Sequence, residues 1–214
     1  MLTLYGNLES GNVYKVRLLL ARLGIAHVRV EVNQVDGHPK TPEFRAINPI
    51  GKVPALRFDD GRVLSESGAI LYYLAQGTPM WPDGSWDHAE VLRWMFFEQY
   101  SHEPAIAVNR YILNYMADAS GQAARVAENA EKGAHALGVM EARLAAQDWL
   151  AASRYTIADI ALYAYTHNAD EAGFDLAAFP AIGRWLARIA AQPGHIAQLE
   201  ETSAAPVESL IGSG

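Results

Sequence analysis

The sequence predicts a mixed α/β domain followed by an all-helical domain, and three observations carry that reading. Short strand and helix signals alternate through residues 1–76. A Gly-, Pro- and Asp-rich stretch, "GTPMWPDGSWD" at 77–87, reads as a linker. Everything from 88 to 214 carries helical periodicity or connects helices.

In the first domain "LTLYG" is a short apolar run closed by Gly6, the pattern of a first strand. Val13, Val16, Leu19, Leu20 and Leu23 recur on one helical face, with Gly24 as the stop. "HVRVEV" at 27–32 alternates polar and apolar, as a half-buried strand does. In "TPEFRAI", Thr41 is an N-cap and Pro42 the first helical residue. "VPALRFDDGRVL" reads as two short strands around an Asp-Gly turn, and "ESGAILYYLAQ" as a helix of about three turns. A βαβ unit followed by ββα gives a small mixed sheet with helices packed on it. At this length it needs a neighbour to lean on.

In the second domain residues 88–117 form one long helical pattern bent near Pro104, which has no backbone N–H to donate. A second amphipathic segment spans 122–147. The very apolar "SRYTIADIALYAYTHNA" predicts a buried central helix. Its start carries a capping-box spacing, Thr156 to Asp159, and a hydrophobic-staple spacing, Tyr155 to Ile160. "FPAIGRWLARIAAQPG" is a fourth helix stopped by Pro193 and Gly194, and the Ser- and Ala-rich last dozen residues read as loosely held.

Half of the 214 residues are hydrophobic and the net charge is −7, which argues against a broad nucleic-acid surface. The longest apolar runs fall short of the ~20 residues of a membrane span, and the N-terminus lacks the layout of a secretory signal. These features lead us to expect a cytoplasmic protein with no nucleic-acid or membrane partner. There is no cysteine, so thiol chemistry must draw its sulfur from a ligand. No metal site is expected: none of the seven histidines has zinc-helix spacing, and His102 and His167 read as ordinary polar residues.

In "LESGNVYKVRLLLARLG", Ser10 stands at the mouth of a helix with no histidine beside it. A serine nucleophile needs a base. A serine that holds an anion needs only donors, and a helix N-terminus supplies them. Pro54 stands where a strand begins, a position that tolerates proline. Glu66 and Ser67 stand where a strand gives way to a helix, with Ser67 a natural cap.

Together "SGNVYKVRLLLARLG", "TPEFRAINPIGKVPAL", "LSESGAILYYLA" and "YTIADIALYAY" resemble the cytosolic glutathione transferase family over about residues 1–200. The resemblance implies a thioredoxin-like N-terminal domain, an all-helical C-terminal domain and a homodimer. Glutathione is then a co-substrate, with no permanently bound cofactor. It implies a cis bond before Pro54, with the backbone of Val53 pairing with the cysteinyl backbone of glutathione. Glu66 and Ser67 would hold the γ-glutamyl end. Lys52 and His38 would receive the glycyl carboxylate, with Lys40 as a substitute for His38. Ser10 follows Tyr5 by the interval of the serine-type classes and would donate to the sulfur. Asn12, where those classes often have proline, is a second donor, and Tyr5 a third. The electrophile would lie between the domains, near Tyr14 and Arg110, although Arg110 also suits pairing with a carboxylate.

The expected reaction is attack of the glutathione thiolate on a small hydrophobic electrophile. The alternatives are glutathione-dependent reduction of a disulfide or hydroperoxide on the same site, and a non-catalytic binding or regulatory protein of this fold.

Overall fold

The computed structural model describes residues 1–210; residues 211–214, part of the last dozen, lie outside the described residues. The chain divides into two compact units: Met1–Gln76 together with the described part of Pro193–Gly214, and Gly77–Gln192.

The first unit follows the predicted order. It contains β1 (Leu2–Tyr5), α1 (Gly11–Leu23), β2 (His27–Glu31), α2 (Pro42–Ile47), β3 (Ala55–Arg57), β4 (Val63–Ser65) and α3 (Ser67–Ala75). β1 runs parallel to β2 and antiparallel to β3, and β3 runs antiparallel to β4. The register sets Leu4 opposite both Arg29 and Leu56. A fifth strand, β5 (Glu208–Ser209), pairs parallel with β2 and completes the order β4-β3-β1-β2-β5.

Leu4, Val13, Val16, Leu20, Leu56 and Ile70 form the core between sheet and helices. Each is worth roughly 1.5–3 kcal/mol when fully buried. Ser10 caps α1 and Thr41 caps α2, each with a side-chain oxygen accepting from the N–H three residues on. Gly24, at φ 65°, closes α1 as expected.

Two readings of this unit change, for one reason. α1 buries more than its predicted face, because Lys15, Arg17 and Leu18 are also buried. In β2 it is His27 and Arg29, the polar positions of the alternation, that are buried at 3 % and 5 % exposure. The residues from 193 onward, assigned above to the helical domain, return to cover both. Tyr14 donates its hydroxyl to the Ile196 carbonyl at 2.7 Å, and Arg17 donates to the Gln198 carbonyl at 2.5 Å. Arg29 meets Glu201 through two nitrogens, and its backbone N–H donates to Ser203 Oγ at 3.0 Å. Residues 196–201 thus form a polar seal, and the described part of the last dozen, read as loosely held, contributes Ser203 and an edge strand.

The second unit contains α4 (Ser85–Phe97), α5 (Glu103–Tyr115), α6 (Ala123–Ala146), α7 (Ile157–Thr166) and α8 (Pro180–Ala190). α4 begins at Ser85, so the segment joining α3 to α4 is shorter than 77–87. The bend near Pro104 is one wide helical turn, Glu98–His102, in which the N–H of Glu103 reaches back five residues to Glu98 O. That turn carries the chain into Pro104 at the start of α5. His102 is buried with Nε2 2.9 Å from Thr166 Oγ1, and His167 contacts the Tyr163 carbonyl at 2.9 Å.

α7 is buried along its whole length. Its capping box forms: Thr156 Oγ1 accepts from Ala158 N, and Asp159 accepts from Thr156 N at 2.9 Å. Asp159 does more than cap. Its other oxygen accepts from Leu150 N at 3.1 Å and from Trp185 Nε1 at 2.9 Å, joining the preceding loop and α8 to the central helix. Burial pushes its pKa up to about 6 against these donors.

A buried acid with a raised pKa binds its proton more tightly folded than unfolded. Its contribution to stability is therefore fully present below the unfolded value and lost as pH rises through about 6. Asp159→Asn cannot titrate and leaves buried donors facing an amide NH2, at a cost of about 1–3 kcal/mol. Urea unfolding at pH 5 and pH 7.5 should give a wild-type advantage over Asp159→Asn that is larger at pH 5. An advantage independent of pH would contradict the raised value.

Candidate functional site

The site candidates of the first unit gather where loops meet the N-termini of α1 and α3. Ser10 takes an extended backbone, and its Oγ accepts from Val13 N at 3.4 Å. A hydroxyl that accepts there keeps its proton for donation outward. Ser10 is 8 % exposed. The N–H groups of Gly11 and Asn12 open the helix and have no intrahelical acceptor, while Tyr14 N already bonds Ser10 O at 2.9 Å. Ser10 therefore stands at the positive end of the α1 dipole, beside the first N–H groups of the helix.

Asn12 is tied into this corner. Its Oδ1 accepts from Lys15 Nζ at 2.7 Å and from Ser67 Oγ at 3.1 Å. That engagement fixes which way the amide faces and links the first turns of α1 and α3. Lys15 lies at i+3 from Asn12 and is 1 % exposed, so a positive charge is held inside the apolar face. The sequence reading passed over Lys15, although a lysine in an apolar helical stripe is a usable signal.

Ser67 is buried and is the first residue of α3, not its cap. The cap position belongs to Glu66, whose carbonyl accepts from Ile70 N at 3.0 Å. Glu66 holds φ 66° and ψ 111°, a left-handed conformation that costs a residue with a Cβ about 1–3 kcal/mol. It is exposed, and its carboxylate makes no hydrogen bond within the helix cap. A strained backbone that presents an acid at a helix mouth is a recurrent mark of a ligand clamp.

The Val53–Pro54 bond is cis. Val53 is 8 % exposed, and among the described residues no hydrogen bond engages its backbone N–H or C=O. Such buried, unpaired main-chain groups are rare in folded proteins unless a ligand or water completes them. The loop before Val53 is built by Asn48, which donates to Lys52 O at 2.7 Å and accepts from Ile50 N at 3.2 Å. Gly51, at φ 63°, lets this loop close on the turn His38–Lys40: a Cβ there would stand 2.8 Å from Pro39 O. Lys40 Nζ donates to Gly51 O at 2.7 Å, so Lys40 and the exposed Lys52 flank the same loop. His38 uses Nδ1 to accept from Asn33 N at 3.4 Å.

Other candidates stand apart. Tyr14, read as facing a cleft, is 1 % exposed with its hydroxyl committed to Ile196 O, so it anchors the segment after 193. Tyr5 is 3 % exposed, edge-on to Phe44 and beneath the Arg57 guanidinium. Burial pushes its pKa up, with Arg57 pulling the other way, so the phenol keeps its proton. Arg110 lies on α5 in the helical unit and pairs with Glu171 at 2.6 Å, the carboxylate pairing weighed above.

Among the described residues no three His, Asp or Glu side chains come together to hold a metal ion. No helix among them is long and apolar enough to cross a membrane.

Comparison with known proteins agrees along the chain. Family models described as "Glutathione S-transferase, N-terminal domain" and "Glutathione S-transferase, C-terminal domain" match residues 1–76 and 104–193. Glutathione S-transferase 3 of Zea mays is 34 % identical, over 90 % of this chain and 90 % of that one. The disulfide-bond oxidoreductase YfcG of Escherichia coli is 31 % identical, over 85 % of this chain and 87 % of that one. A crystal structure of a glutathione S-transferase from Pseudomonas fluorescens superposes with a TM-score of 0.91 at 43 % identity, covering 93 % of this chain and 99 % of that one.

The loop geometry can be probed apart from any ligand. Asn48→Ala removes both bonds that shape the loop and should cost about 1–3 kcal/mol in urea unfolding. It should also speed amide hydrogen exchange at Ile50 without speeding it in α7. Uniform exchange across both units would remove the local role.

Proposed function

The chain belongs to the glutathione S-transferase family, and from that premise we propose that its thiolate forms at the start of α1, held by Ser10. The chain is a glutathione transferase. Bound glutathione loses its thiol proton to solvent, the sulfur attacks the electrophile, and the leaving group departs with the electron pair of the broken bond. In conjugate addition a proton is taken up instead. Ser10 donates to the sulfur, and the first N–H groups of α1 add their partial positive charge. No base is needed, because the serine never attacks anything.

The single observation that carries this reading is the Ser10 hydroxyl at a helix N-terminus, which accepts from Val13 N and so has its proton free to donate to a ligand. Asn12 orients the corner, its carbonyl held by Lys15 and Ser67. Val53 offers its unengaged backbone to the cysteinyl part of glutathione, as an added strand would use it. Glu66 and Ser67 receive the γ-glutamyl amine and carboxylate. Lys52 takes the glycyl carboxylate, with His38 or Lys40 beside it; Lys40 Nζ already bonds Gly51 O of that loop. The electrophile is small and hydrophobic, the protein works as a cytoplasmic homodimer, and glutathione comes and goes as co-substrate.

A second reading on the same site is glutathione-dependent disulfide reduction, favoured by the likeness to the E. coli oxidoreductase. One glutathione thiolate attacks the disulfide and releases one thiol. A second glutathione then resolves the mixed disulfide, giving oxidised glutathione and the other thiol. The chain lacks cysteine, and this route needs none.

Thiolate absorbance of bound glutathione, titrated with pH, tests the activation. Wild type should hold the thiolate well below the ~8.5 of a free thiol, and Ser10→Ala should lose about tenfold of it at neutral pH, the worth of one charge-assisted hydrogen bond. If wild type binds glutathione with an unshifted thiol, the activation fails and the binding-protein alternative gains. An unshifted Ser10→Ala moves the role to Asn12. In a second assay Glu66→Ala should weaken glutathione binding about tenfold while sparing the thiolate titration of the bound form.

A further inference from the structure

We propose that Gln198 is a positioning residue for the thiol site, bracketing Ser10 from both sides; the proposal rests on the reading that the thiolate forms beside Ser10. Its side-chain amide donates to the Glu9 carbonyl at 2.8 Å and to the Leu8 carbonyl at 3.4 Å. Its own main-chain carbonyl accepts from Arg17 Nη1 at 2.5 Å. Leu8 and Glu9 lead into Ser10, and Arg17 lies about two turns beyond it on the same side of α1. One residue, 8 % exposed, thus ties the loop ahead of Ser10 to the helix behind it.

The bond to Glu9 has a direct geometric effect. The Glu9 carbonyl and the Ser10 N–H belong to one planar peptide unit. Holding that carbonyl fixes the plane, and the plane sets φ at Ser10 and the direction in which Oγ projects. A hydrogen bond to sulfur depends steeply on that direction. A displacement of ~1 Å at such a site can cost about a hundredfold in rate.

Neighbouring residues of the loop have their own tethers. Arg29 Nη1 donates to the Gly6 carbonyl at 2.7 Å, and Gln34 Nε2 donates to Asn7 Oδ1 at 3.2 Å. The segment that carries Gln198 is also docked independently, through Tyr14 to Ile196, Arg29 N to Ser203, and β5 along β2. Removing the Gln198 amide therefore leaves the segment in place and alters the loop alone.

Gln198→Met keeps the volume and removes the donor. Ser203→Ala loosens the same segment at its far end. Both are compared with wild type in the thiolate titration, in turnover of an aryl halide, in glutathione affinity and in urea unfolding. Gln198→Met should cut the thiolate fraction at pH 6.5 about tenfold, lower kcat in proportion, and change glutathione affinity by less than about twofold. Ser203→Ala should lose stability and keep the wild-type thiol titration. A Gln198→Met protein with the wild-type titration overturns the proposal, as does a Ser203→Ala protein shifted equally. A wild-type thiol that titrates like free glutathione overturns the activation reading itself, and this proposal with it. Should Gln198→Met fail to fold, Gln198→Asn, which keeps the amide and withdraws it by one methylene, replaces it with the same expected direction.

Discussion

Donors left unsatisfied by the protein are the constraint on which the first unit depends. A thiolate can be held without a base only if several N–H and O–H groups point at one place and cannot turn away to satisfy one another. Helix N-termini provide such groups, but their first turns fray unless something fixes them. Here the fixing is done from outside the cluster. Ser10 accepts from Val13, Asn12 is held by Lys15 and Ser67, and Glu66 takes a left-handed backbone that turns the chain into α3. The contacts at Ser10 and Asn12 use an acceptor oxygen, so the Ser10 hydroxyl keeps its proton for donation.

The same economy explains why polar residues are buried around α1. Arg17 and Arg29 are nearly inaccessible, and burying a guanidinium is costly unless carbonyls and carboxylates surround it. The returning segment supplies Glu201 to Arg29, and to Arg17 the Gln198 carbonyl, which engages one of its three nitrogens. Burial lowers the pKa of Arg17, with Glu201 opposing; at Arg29 burial also pulls downward, but the bonds and charges of Glu201 and Glu31 together outweigh it and raise the pKa. The seal they form is polar where a hydrophobic one would be easier to build.

Much of this was legible in the sequence because it rests on local signals. Caps at Thr41 and Thr156, the stop at Gly24 and the period of α1 depend on residues a few positions apart, and all appear where read. Contacts across long separations were not legible. The alternation of β2 gave the right strand with the wrong reading of its polar side, since nothing near His27 or Arg29 announces that residues beyond 193 will cover them. Tyr14 was misplaced for the same reason. Ser67 looked like a cap because serine usually is one, yet Glu66 takes the cap through a backbone state that composition does not encode. Gln198 carries no signal at all, being one polar residue in a polar stretch.

The return of the segment after 193 makes the first unit discontinuous along the chain. During synthesis, at about 5–20 residues per second, Gln198 follows Ser10 by roughly 10–40 s. Throughout that interval the β2 edge has no β5 beside it, and the nascent sheet carries an open row of backbone donors and acceptors. The helical unit is contiguous and can settle first, while the sheet that carries the chemistry waits for its last strand. A cell making this protein quickly has more to fear from edge-to-edge pairing of half-made chains than from the finished fold.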